Sequence, residues 1–70
     1  MAALSSNVER VRDGNGYRYR AYAKDGYCAR LHNNGSAWEA RAVLTGTYIG
    51  SRHTLAAIGA LVASYTVVPA

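Results

Sequence analysis

Phenylalanine is missing altogether from these 70 residues, and cysteine, proline, methionine and tryptophan occur once each. Half of the residues are hydrophobic, but alanine and tyrosine supply much of that half. The expected core is therefore thin and partly tyrosine-built, with hydroxyls that must reach water or a partner. A lone Cys28 cannot close an intrachain disulfide, which fits a reducing compartment, and the expected location is the cytoplasm. The opening MAALSSNVER lacks the charged start and apolar run of a signal peptide. From Thr54 to Ala70 there is no charge, yet Gly59 and Pro69 interrupt a run shorter than the roughly 20 residues of a membrane span. No membrane partner is expected.

Catalytic chemistry is equally scarce. The four acids are Glu9, Asp13, Asp25 and Glu39; two fall in turns, and no pair is set for acid–base work. Cys28 and His32 share one face of a strand, but two ligands without a second pair do not make a zinc site. Gly14-x-Gly16 is a turn, without the remaining glycines and helix of a nucleotide loop. Neither an enzyme, a metal nor a cofactor is expected.

What remains is patterning. Trp38 to Leu44 alternates apolar and polar residues, Thr45-Gly46 turns, and Thr47-Tyr48-Ile49 returns antiparallel. Gly50 is read as the end of that strand. Ser51 or Thr54 then caps a helix with a stripe at Leu55, Ile58, Leu61/Val62 and Tyr65. Upstream, Tyr17 to Ala23 alternates strictly. Lys24-Asp25-Gly26 and Asn34-Gly35 are turn signals, and Asp13-Gly14-Asn15-Gly16 closes a short first strand from Val8 to Arg12. The expected fold is α+β: an antiparallel three- to four-stranded meander packed on one C-terminal α-helix. One domain spans 8–66, between a flexible N-terminus at 1–7 and a C-terminal tail at 67–70.

With two-residue turns at Asn34-Gly35 and Thr45-Gly46, Leu31 faces Trp38, Ala29 faces Ala40 and Ala42 faces Ile49. One side of the sheet then collects Tyr17, Tyr19, Ala21, Ala23, Tyr27, Ala29, Leu31, Trp38, Ala40, Ala42, Leu44 and Ile49. The other side holds Arg18, Arg20, Tyr22, Lys24, Cys28, Arg30, His32, Glu39, Arg41, Val43 and Tyr48. Five of the eight cations gather there with one acid, and Arg20 opposite Arg30 is a repulsive pair that folding alone does not require. An anion-binding face is the expectation, with Arg18, Arg20, Tyr22, Lys24, Arg30, Arg41 and Tyr48 as its residues and duplex DNA as its ligand. On the helix, Ala56, Gly59, Ala60, Ala63 and Ser64 form a small-residue ridge, a candidate for self-association as a homodimer or for a partner protein.

Trp38-x-Ala40-Arg41, a turn at Gly46, Tyr48-Ile49-Gly50-Ser51, then Thr54 and alanines at 56, 57, 60 and 63 resemble a known small domain. It is the three-stranded-sheet-plus-helix DNA-binding domain of phage-type integrase N-termini and plant ethylene-response transcription factors. The resemblance implies that the uncovered sheet face lies in the major groove, with Arg18, Arg20, Arg30 and Arg41 facing the DNA. It makes the chain a small basic DNA-binding or regulatory module. The alternative is a phage or mobile-element interaction protein that binds a host protein or itself through the uncharged helix, without touching DNA.

Overall fold

Turn chemistry sets the strand order. In the computed structural model, which describes residues 6–68, the strands are β1 (Val8–Asp13), β2 (Gly16–Tyr22), β3 (Cys28–Asn33), β4 (Trp38–Ala42) and β5 (Tyr48–Arg52). They pair antiparallel in chain order as one five-stranded sheet, followed by a single helix, α1 (Leu55–Ala63). The sheet therefore has five strands rather than three or four. The last strand does not end at Gly50 but continues to Arg52 opposite Trp38.

Gly50 has a different job from the strand end expected of it. Its φ is +156°, and a Cβ there would sit 2.8 Å from Leu61 Cδ2. The glycine lets α1 approach β5. Gly50→Ala is expected to cost about 1–3 kcal/mol from backbone strain, read as a lowered urea midpoint with unchanged slope; an unchanged midpoint would show slack between helix and strand.

The connections decide the registers. Between β3 and β4, Asn34 Oδ1 accepts from the N–H groups of Ser36 and Ala37, and Asn33 Oδ1 accepts from that of Gly35. These side chains hold a loop of residues 34–37 in place of the expected two-residue turn, so Leu31 faces Ala40 and Ala29 faces Ala42. The shift is two residues, and strand alternation has period two, so every side chain keeps its face. Between β4 and β5 a bulge at Ala40/Arg41 makes Ile49 the extra residue, replacing the expected Ala42–Ile49 pair. The β2–β3 loop matches expectation: Ala23 donates to Tyr27 O, and Gly26 takes φ +86°.

The core is alanine-floored. Ala21, Ala29, Ala40 and Ala42 are fully buried beneath Ile58 and Val62, with Val8, Ala23, Leu31 and Val67 at the margins. Small floor residues admit the helix closely, and the stripe Leu55, Ile58, Gly59, Val62 follows helical spacing. Thr54 is the N-cap, its Oγ1 accepting from Ala57 N–H at 3.1 Å. Three residues expected inside are exposed: Tyr17, Tyr27 and Leu44. Nine helical residues span only about 13 Å, and these three lie at strand ends or in turns beyond that cover.

Both chain ends tie onto this unit. Asn7 Nδ2 donates to Tyr22 O and to Gly59 O. Lys24 N–H donates to Tyr65 O, Val67 is buried, and Val68 N–H donates to Asp25 Oδ2 at 2.9 Å. Asn7 and Val67 thus belong to the packed unit; residues 1–5 and 69–70 of the expected flexible ends lie outside the described residues. The Val68 bond holds the Asp25 carboxyl below its ordinary pKa. A group depressed in the folded state contributes stability above the ordinary carboxylate range and loses it as pH falls through the folded value. Melting temperature is therefore expected to drop below about pH 4, and less so in Asp25→Asn. Equal acid sensitivity in both proteins would clear Asp25 of that role.

Candidate nucleic-acid interface

The face of the sheet away from α1 carries Arg18, Arg20, Arg30 and Arg41, because Arg20 pairs with Arg30 and Arg30 with Arg41 across three neighbouring strands. All four are exposed. The same register puts Tyr22, Cys28, His32 and Glu39 on that face, with Tyr48 beside Arg41.

Strand β1 changes its electrostatics. Val8 pairs with buried Ala21, so Glu9 falls opposite Arg20, and the strand ends at Asp13 opposite Gly16. Arg20 Nε donates to Glu9 Oε1 at 3.0 Å, and its Nη2 bonds the same oxygen. Arg18 Nη2 reaches Asp13 Oδ2 at 2.8 Å. Tyr22 Oη donates weakly to Glu9 Oε2 at 3.4 Å. The expectation of five cations against one acid is thus corrected: Glu9 and Asp13 join Glu39 there. Lys24 stands past the end of β2, in the turn, so the ladder does not fix it on this face. The pattern of Val8, Glu9, Arg10, Val11 and Arg12 carries no parity signal, since the two valines are three residues apart and face opposite sides; only the length of the Gly14-Asn15 turn chooses it.

What stays unneutralised is a smaller group. Arg41 Nη1 donates to Gly46 O at 2.7 Å, and its guanidinium lies 5.6 Å from the centre of the Tyr48 ring. Arg30 has no ion pair or hydrogen bond among the described residues, and it borders each shallow depression of this face. One of these, about 300 Å³, is framed by Arg30, His32, Glu39, Arg41 and Tyr48. The pairing raises the Arg20 pKa through its hydrogen bond to Glu9. Burial pushes the Cys28 thiol up, with Arg20 and Arg30 pulling the other way, so it is no activated nucleophile.

Protein-family models, curated proteins and solved structures were each compared with this chain, and none matches. The resemblance to integrase and ethylene-response domains rests on the quoted residues alone.

The helix ridge is only partly on the surface. Ala56, Ala60, Ala63 and Ser64 are exposed, but Gly59 is buried toward Asn7, which corrects its place on the ridge. Gly59 falls four residues before Ala63 and one after Ile58, and the Ile58 side is the one facing the sheet. Ser64 Oγ donates to Leu61 O and caps the helix locally. Among the described residues no three metal-ligating side chains gather, and no helix is long and apolar enough to cross a membrane.

Proposed function

We propose that the chain is a small DNA-binding or regulatory module that docks duplex DNA on the uncovered face of β3, β4 and β5. The observation that carries this is the Arg30–Arg41 pair: two exposed guanidiniums directly opposite each other, neither of them in an ion pair among the described residues. Like charges so placed are destabilising, and a phosphate or a guanine edge between them removes that cost. Arg41 is held by Gly46 O and Tyr48, so less freedom is lost on binding. Arg18 and Arg20, already engaged by Asp13 and Glu9, serve as the outer positioning cations.

A salt titration of duplex binding by fluorescence anisotropy tests the reading. Affinity is expected to fall linearly on a log–log plot, with a slope of about 0.9 per phosphate contacted. Absence of duplex binding even at low salt would remove this function.

A further inference from the structure

A second surface lies where the sheet splits. The β2–β3 ladder ends at Tyr19–Leu31, yet β2 extends back to Gly16 and β3 onward to Asn33. The two hairpins part there, leaving a cleft of about 440 Å³ whose walls include Tyr17, Arg18, Tyr19, His32, Asn33 and Trp38. That volume is within the range of about 300–1,000 Å³ that holds small ligands. Tyr19 and Trp38 meet edge to face, 5.3 Å between centroids. Tyr17 is 55% exposed, with Arg10 stacked 4.4 Å from its ring centre.

Cations stand on both faces of the sheet around the cleft. Arg18 and Arg30 line it from the uncovered face. On the helix side, beyond the reach of α1, Arg12 is the register partner of Tyr17 and Arg52 that of Trp38. The row across the sheet there reads Arg12, Tyr17, Asn33, Trp38, Arg52, with no acid in it. Asp13, the one acid lining the cleft, is bound to Arg18. Asn33 uses its side-chain oxygen on Gly35 N–H and keeps its amide donors free of partners among the described residues.

Aromatic rings interleaved with arginines are the chemistry that binds unstacked bases joined by phosphates. From this geometry we infer that the cleft between the hairpins binds single-stranded nucleic acid, one base entering among Tyr17, Tyr19 and Trp38 while the backbone runs from Arg18 and Arg30 at the cleft toward Arg12 and Arg52 on the other face. A strand rather than a free nucleotide is inferred because a single phosphate meets the cations of one face only. The inference does not rest on duplex binding by the sheet face.

Trp38, the sole tryptophan, reports on its own site. Titration of the whole protein with a single-stranded oligothymidylate of about eight nucleotides is expected to quench Trp38 emission saturably. Inorganic polyphosphate, which has charge without bases, is expected to leave it unchanged, and thymidine monophosphate to bind far more weakly. Tyr17→Ala, at an exposed position and with its fold checked by circular dichroism, is expected to weaken the oligonucleotide about tenfold. Arg41→Ala, outside the cleft, is expected to leave it unaltered while weakening duplex. No quenching, equal effects from polyphosphate, equal affinity for the mononucleotide, or an unaffected Tyr17→Ala protein would each overturn the inference. Single-strand binding without duplex binding would uphold it and remove the sheet-face function alone.

Discussion

Replacing Arg30 and Arg41 together by alanine is expected to lower duplex affinity a hundredfold or more and to leave the melting temperature unchanged or slightly raised. Both halves follow from one arrangement. The two guanidiniums are register partners on β3 and β4 and neither is in an ion pair among the described residues, so removing them relieves repulsion. Neither is buried, so no cavity forms. A bidentate base contact is worth about 1–3 kcal/mol, and two such losses multiply to about a hundredfold toward the lower end of that range and to more above it. The log–log salt slope is expected to fall with the phosphates lost. Unchanged affinity in anisotropy would clear the face of its role; a collapsed melt would mean the pair is structural.

Ile58→Ala is expected to unfold most of the protein. Ile58 and Val62 are the two largest fully buried side chains, and the floor beneath them is alanine. A truncated Ile58 leaves a void that four alanines cannot close, and such losses run at about 2–5 kcal/mol. A core of this size supplies only about 3–5 kcal/mol in all. Circular dichroism is expected to show lost helix signal and no cooperative transition. A cooperative melt within a few degrees of the parent would mean that α1 is not the lid holding the sheet together.

Some of this could be read before any coordinates. Strict alternation in Tyr17–Ala23 and Trp38–Ala42, with helical spacing from Leu55 to Val62, fixes which side chains share a face. The two-residue slip at Asn33–Asn34 shows why: side-chain direction depends on parity, and a slip by an even number leaves it untouched. That is why Arg18, Arg20, Arg30 and Arg41 share a face although both hairpin registers around β4 differ from the expected ones. The length of β5 and the role of Gly50 were harder, because a glycine that ends a strand and one that admits a helix look identical in a sequence.

Local patterning, then, determined the α+β class, the alanine floor, the helix that covers it and the shared arginine face, since each depends only on neighbours two to four residues apart. Tertiary structure alone decided how charged that face is and where the sheet opens. The parity of β1 turns on one loop, and it carried Glu9 and Asp13 to Arg20 and Arg18 while sending Arg12 to Tyr17 on the far side. Such partners meet only when separate hairpins are laid edge to edge, a relation that no periodicity within a single strand encodes.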